Sequence, residues 1–293
     1  MSGPVASLLS NGSRLHLQHG PIDLVIGADS AHPAGRQLAF EAAALRFETI
    51  LDELVRDLPL LRLQMMPDSA MPRGHTALRM DAAVRGHAGR AFVTPMAAVA
   101  GAVADEVLAA MVAQGQLRRA YVNNGGDIAL HLAAGQSFIS AMAGPNGADL
   151  GRIRIAAGTG IGGIATSGQG GRSLSFGIAD SVTVLGRNAA VADVAATLIA
   201  NAVNLADHPE IRRSPANELH PDSDLGSRRV VTCVGELSDQ DIETALSRGA
   251  RAAQRLLNEG QIIGACLSLR GSQRIVGATS AYLPSQTNRM EHV

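Results

Sequence analysis

The chain contains no lysine, so its 25 basic residues are all arginine. That absence excludes a Schiff-base lysine, a lysine nucleophile and the lysine of a P-loop. Tryptophan is also missing and aromatic residues make up 2% of the sequence, which removes the platforms on which nucleic-acid bases stack. The two cysteines, Cys233 and Cys266, are too few and too far apart for a metal cluster, and both are expected to be buried apolar residues. A net charge of −1 over 293 residues leaves no basic footprint for nucleic acid or a polybasic membrane contact. The N-terminal MSGPVASLLSNGSRL has no charged region ahead of a long apolar core, and no apolar run is expected to reach the ~18 residues of a membrane span. Neither a nucleic-acid nor a membrane partner is expected, and the expected compartment is the cytoplasm.

What the chain does have is small apolar residues. Apolar types make up 46% and glycine alone supplies 32 residues, so alanine and glycine fill the core and let backbones approach closely. The length suits one large domain or two intertwined halves. A hairpin is expected over 14–28 around His19-Gly20-Pro21, and an amphipathic helix over 35–57. A Pro/Gly/Met loop follows at 66–76, then a small-residue helix at 95–114 with Pro95 in its first turn. Strands are expected at 118–124, 127–132, 137–143, 152–157, 179–186 and 229–234, helices at 188–204 and 238–258, and a closing hairpin near 261–277. Residues 207–228 read as a polar surface loop. Residues 1–13 are expected to be extended or disordered, 14–280 to form one domain, and 281–293 to be a flexible tail. Hairpins mixed with helices, rather than strict alternation, point to an α+β fold.

The most informative stretch is NAAVADVAATLIANAVN, residues 188–204. Asn188 is its expected cap. Its polar residues Asp193, Thr197, Asn201 and Asn204 fall at i, i+4, i+8 and i+11 on one helix face. A solvated face normally carries Lys, Glu or Arg. A lone carboxylate with a hydroxyl one turn on suits a hard cation or a phosphate instead, and the alternative is a short exposed stripe.

The segment RIRIAAGTGIGGIATSGQGG (152–171) formally matches a dinucleotide fingerprint at Gly158, Gly160 and Gly163. No helical period follows the third glycine, so that reading is rejected. A backbone-rich loop over 158–171 is expected instead. Its N–H groups, with the hydroxyls of Thr166, Ser167, Ser173 and Ser175 and the charge of Arg172, would cradle a phosphate. The turn Asn123-Asn124-Gly125-Gly126-Asp127 reads either as a plain hairpin turn or as a close backbone approach to a ligand, with Asp127 as acceptor. Acid–base chemistry is left to Asp127, Asp180 or Asp193.

Three segments together carry a resemblance: VTPMAAVAGAVADEV (93–107), YVNNGGDIAL (121–130) and IATSGQGGRSLSFGIADSVTVLGRNAAVADVAATLIANAV (164–203). They resemble an uncharacterised, UPF-type family within the ApbE-like superfamily, whose better-known members move FMN from FAD onto a Ser or Thr of a target protein with Mg²⁺. The resemblance implies an ApbE-like α+β fold of two intertwined halves with mixed sheets and small-residue helices. It also implies Mg²⁺ at Asp193 and Thr197, the transferases' A-D-x-x-x-T motif being Ala192-Asp193 and Thr197 here. By the same resemblance Thr166-Ser167-Gly168 sits beside a flavin, and Gly125-Gly126-Asp127 is the family's G-G-[DE] turn. Thr94 and Ala100 stand where the transferases have the Asp and Lys that touch FAD, and Ser175–Asp180 takes the place of a His-Ile-Ile-Asp-Pro segment.

The function that follows is a Mg²⁺-dependent transferase or hydrolase acting on a flavin or nucleotide phosphoanhydride such as FAD. Asp180 is its candidate base and Thr94, the Gly125–Asp127 turn, Thr166–Gly168 and Arg172 its ligand contacts. The alternative is a binding protein that holds a flavin, nucleotide or pterin without turnover, linked to the metabolism of C1-carrying pterins. A third reading is an interaction scaffold. A homodimer is the default assembly, and a protein acceptor is the partner the transferases imply.

Overall fold

Alternating apolar residues at Leu15, Leu17, Leu24 and Ile26 build the expected hairpin, with these side chains buried on one face. In the computed structural model the described residues are 3–9, 12–114, 116–143, 149–171, 173–278 and 281–283. The chain divides into two units, each assembled from three stretches: 1–137, 156–165 and 186–194 form the first, and 138–155, 166–185 and 195–293 the second.

In the first unit, β1 (Val5–Leu9), β2 (Arg14–His19) and β3 (Ile22–Ser30) form an antiparallel meander, followed by α1 (Gly35–Leu61) and α2 (His75–Arg85). A 3-10 turn at Pro95–Ala98 leads into α3 (Val99–Gln114), β4 (Leu117–Asn124) and β5 (Asp127–Leu132). β3 pairs with β4 and β4 with β5, all antiparallel. β1 lies within the stretch 1–13 expected to be extended or disordered. α1 buries Ala39, Phe40, Ala43, Phe47, Ile50 and Leu54 at helical spacing. It runs past the expected end because Leu61 is also buried, although Pro59 withholds one N–H inside the helix.

α2 was not legible in the sequence. Its N-cap is Gly74, which has no side chain to signal a helix start. The approach to the helix is fixed from α1: Asp57 Oδ2 accepts from the N–H groups of Arg73 (3.0 Å) and Gly74 (2.7 Å), just ahead of its first turn.

The stretch Pro95–Gln114 is long and apolar enough to cross a membrane by composition alone, which corrects the expectation that no run reaches that length. In the first unit it is a core helix, with Ala102, Val103, Ala104, Val107 and Met111 wholly buried. Its Glu106 is ion-paired with Arg46 of α1 (2.8 Å) and Arg79 of α2 (2.6 Å). Burial works to raise the Glu106 carboxyl, but the two guanidinium groups outweigh it and hold the carboxyl below its ordinary range.

The second unit holds β6 (Ser137–Ala143), β7 (Asp149–Ala156), and then β8 (Gly163–Ser167), whose first residues belong to the first unit, where Ile164 pairs with Ile128 of β5. β9 (Ser181–Gly186) follows, and α4 (Ala189–Ala202) starts in the first unit and ends in the second. β10 (Ile211–Pro215), the short α5 (Ala216–Leu219) and β11 (Arg229–Val234) put regular structure into the expected surface loop. α6 (Asp239–Asn258) opens on a Ser238–Asp241 capping box. β12 (Gly264–Leu269) pairs antiparallel with β9 and with β13 (Ser272–Gly277), and β14 (Tyr282–Leu283) pairs with β7 inside the expected tail. The rest of that tail lies outside the described residues. The fold is α+β, as expected, and its registered strand pairs are antiparallel. Cys266 is buried, which pushes its thiol up to about 11. Cys233, however, is exposed on β11, against expectation, because the two-stranded β10–β11 ribbon leaves it uncovered.

Candidate functional site: the start of α4

α4 begins against α3 at near-contact distance. A Cβ on Gly101 would stand 2.3 Å from the Ala189 carbonyl oxygen, and one on Gly163 would stand 2.2 Å from the Ala189 nitrogen. Only glycine at both positions lets the first turn of α4 sit this close to α3 and β8. The turn's N–H groups are all engaged by protein. Asp105 of α3 accepts from Ala189 N–H at 3.0 Å with Oδ1 and from Ala190 N–H at 2.9 Å with Oδ2. The Asn188 side chain accepts from Val191 N–H at 2.9 Å, so Asn188 is the cap that its position predicts.

Asp193 returns the contact. Its Oδ2 accepts from Gly101 N–H at 3.1 Å, and the Ala100 N–H also bonds it. Each helix therefore gives the other an aspartate. The Asp193 side chain is half-buried, and its carboxyl is pushed well above the ordinary aspartate value. Burial is the largest cause, followed by the negative charge of Asp127. The two N–H groups oppose them, and Asp105 adds further like charge.

Asp127 reaches this neighbourhood through its turn. β4 and β5 join by a two-residue turn in which Gly125 (φ 66°) and Gly126 (φ 113°) both take positive φ. The Asn123 side chain accepts from Gly126 N–H at 2.9 Å, and the Asn124 side chain donates to the Ala100 carbonyl at 3.1 Å. The turn is thus an ordinary hairpin turn and also a fixture of the α3 start. Thr94 is buried at 2% exposure, just ahead of the 3-10 turn leading into α3. Thr197 follows Asp193 by one turn of α4 and is half-buried, with no hydrogen-bond partner among the described residues. A helical threonine commonly bonds back to the preceding turn, so this hydroxyl is available.

In the second unit, the stripe's other members are structural. Asn201 accepts from Phe176 N–H (3.0 Å) and from the Ser175 hydroxyl (3.4 Å). Asn204 lies past the end of α4 and binds the Phe176 carbonyl and Arg213. The single glycine-built loop expected over 158–171 does not exist. β8 divides it into two turns at opposite ends of a strand, because Gly163–Ile164 pairs with β5. Thr166 is exposed and shares a hydrogen bond with Thr183 (2.9 Å). After Ser167 the chain turns at Gly168 (φ 141°) and is strapped back by Gln169 N–H to the Ala179 carbonyl. Arg172 lies outside the described residues.

Asp180 holds a turn. Its Oδ2 accepts from Arg270 N–H at 2.5 Å, where Arg270 takes a positive φ of 51° in the β12–β13 turn. Asp180→Ala is expected to lower stability by about 1–2 kcal/mol in urea unfolding, the loss of a charge-assisted hydrogen bond. An unchanged midpoint would return Asp180 to the list of catalytic groups.

Sequence reasoning missed Asp105. The available signal was an aspartate amid the apolar residues of α3, since a half-buried charge persists only with partners. A groove of about 810 Å³ in the first unit, lined by Leu8, Leu15, His32, Arg36 and Phe40, contains none of the expected site residues. Among the described residues no group of three or more His, Cys, Asp or Glu is arranged to hold a metal ion.

A "UPF0280 protein" of Methanothrix thermoacetophila is 38% identical to the chain over 178 residues, 56% of this chain and 68% of that one. One from Methanococcus vannielii is 43% identical over 119 residues, 38% of this chain and 46% of that one. The apo form of the Pseudomonas stutzeri flavinyl transferase ApbE aligns with a TM-score of 0.49 at 13% identity, covering 96% of each chain. The family model described as AbpE bacteria matches residues 6–275. With that extent of match, the chain belongs to the AbpE bacteria family, within the ApbE-like group that its three motif segments resemble.

Proposed function

We propose that the protein is a Mg²⁺-dependent transferase or hydrolase acting on a flavin or nucleotide phosphoanhydride such as FAD. The observation that carries the reading is the Asp193 carboxyl. It is held half out of water beside the like charge of Asp127, and burial and that charge are the two largest influences on it. A bound divalent ion relieves that repulsion. The donors fit Mg²⁺, which takes oxygen ligands, keeps several of its waters and asks for only one or two carboxylates. That economy is compatible with fewer than three acidic or imidazole ligands. Asp193 and the Thr197 hydroxyl would hold the ion, with Asp127 as a second carboxylate. When bound, Mg²⁺ supplies positive charge against a phosphate.

The residues of the chain do the rest. The Ala100 and Gly101 N–H groups orient Asp193. The Gly125–Gly126 turn fixes where Asp127 starts β5. The flavin and adenine parts of the ligand rest on the motif resemblance at Thr94, Thr166, Ser167 and Gly168. We assign Asp180 to its turn and route no proton through it.

FAD together with Mg²⁺ is expected to raise the thermal unfolding midpoint above either alone, and Asp193→Ala is expected to abolish the increment. Chromatographic detection of AMP separates turnover from binding. Ligand held without AMP release selects the non-catalytic reading, which the replacement of the transferases' Asp and Lys by Thr94 and Ala100 favours. No protection by any flavin or adenine dinucleotide with Mg²⁺ removes both.

A further inference from the structure

We propose that Asp105 is a positioning residue for the Asp193 carboxylate, acting through a reciprocal clasp between α3 and α4. The inference rests on the metal reading above for its consequence, but on the hydrogen bonds alone for its geometry. Asp105 does not bond Asp193. It bonds the Ala189 and Ala190 N–H groups with one oxygen each, so both of its acceptors are committed to the first turn of α4. Asp193 lies four residues beyond Ala189 on the same helix. Its own oxygen returns to the Gly101 N–H, at the start of the helix that carries Asp105. The two contacts bracket the point where Gly101 lets the backbones meet.

Two anchors fix Asp105 itself. The adjacent Glu106 is locked between Arg46 and Arg79, which ties α3 to α1 and α2. The Asn124 side chain holds the Ala100 carbonyl at the other end of the same segment. α3 is therefore a fixed bar, and Asp105 transfers that fixity to the first turn of α4. Without it, among the described residues the hydrogen bonding of this end of α4 to α3 falls to Asp193, which would then have to serve as both helix cap and ligand. A carboxylate that is free to follow a loosened helix end presents its oxygens less sharply to a cation. Partners of this kind, one bond removed from the ion, typically change metal affinity 10–100-fold when lost.

The test uses the full chain, Asp105→Asn and a matched control, Asp57→Asn. The control neutralises another carboxylate of the first unit that accepts from two successive backbone N–H groups, those of Arg73 and Gly74 just ahead of α2. Two readouts are taken, both well below the unfolding temperature. The first is Mn²⁺ affinity by electron paramagnetic resonance. The second is NMR-resolved amide hydrogen exchange at Gly101 without metal. Asp105→Asn is expected to weaken Mn²⁺ binding at least tenfold and to speed exchange at Gly101, an amide that Asp105 does not touch. Asp57→Asn is expected to lower stability while leaving both readouts at wild-type values. Faster exchange confined to Ala189 and Ala190, with Gly101 unchanged, overturns the assignment, as does unchanged Mn²⁺ affinity in a folded Asp105→Asn. Should the wild-type chain bind no Mn²⁺, the metal reading of the previous section fails and the Gly101 exchange arm still decides the role of Asp105.

Discussion

Gly101→Ala is expected to destabilise the protein by about 2–4 kcal/mol, although helix propensity alone favours alanine by roughly 1 kcal/mol. The sign is set by the crossing of α3 and α4. The added methyl group would meet the Ala189 carbonyl oxygen at 2.3 Å, its carbon at 2.5 Å and the Ala190 nitrogen at 2.7 Å. All three are backbone atoms, so no rotamer change relieves the contact. One helix must move, and overpacking of this kind costs about 1–3 kcal/mol, occasionally more. Moving it also stretches the Asp105 bonds to Ala189 and Ala190 and the Asp193 bond to Gly101. A urea midpoint that rises rather than falls in Gly101→Ala would show that the two helices have room to part.

Asp193→Asn is expected to have opposite effects on stability and on cation response. A carboxyl whose folded pKa exceeds its unfolded value, about 3.8 for an aspartate, holds its proton more tightly in the native state. The metal-free protein therefore carries no penalty from this group at pH well below that value. The penalty grows as pH rises through the interval between the unfolded and the raised folded pKa, and persists above it. Asparagine keeps an acceptor for the Gly101 N–H and removes the charge that faces Asp127. At neutral pH the metal-free variant should be more stable than the wild type by roughly 1 kcal/mol, the trade seen when a strained functional group is neutralised. Its stability should also depend less steeply on pH over that interval. Protection by Mg²⁺ or Mn²⁺ should disappear. The comparison needs only thermal scans across pH with and without Mg²⁺. A variant that is less stable without metal at neutral pH would mean that Asp193 serves chiefly as the cap of α3.

Much of the fold was legible because its signals are local. Alternation gave β2 and β3, and the spacing of Ala39, Ala43, Phe47 and Leu54 gave α1. A proline in the first turn placed the start of the segment containing α3. What could not be read depends on distant partners. The start of α2 is held from 17 residues away by Asp57, and its own N-cap is a glycine. The glycine run 158–171 looked like one loop because pairing of Gly163–Ile164 with β5 leaves no mark in the run itself. At the site, the α4 stripe joined Asp193 and Thr197, on which the proposed function rests, to Asn201 and Asn204, whose partners are backbone groups, the Ser175 hydroxyl and Arg213. Asp105 and Asp193 are separated by 88 positions in sequence and by one helix crossing in space. Only the tertiary hydrogen bonds show that each is the other's counterpart.

The interleaving of the two units has a consequence for synthesis. The first unit takes its last stretch from residues 186–194, and that stretch carries Asp193 and the Ala189–Ala190 amides. A ribosome must therefore deliver about two thirds of the polypeptide before the earliest residues can finish their hydrophobic core. Until then α3 can pack on α1, α2, β4 and β5, but the crossing at Gly101 stays open and Asp105 lacks the two amides it accepts from. Such late closure, built on contacts between remote parts of the chain, makes the nascent protein slow to bury its surface. It also lengthens the time for which unpaired apolar surface can meet other chains.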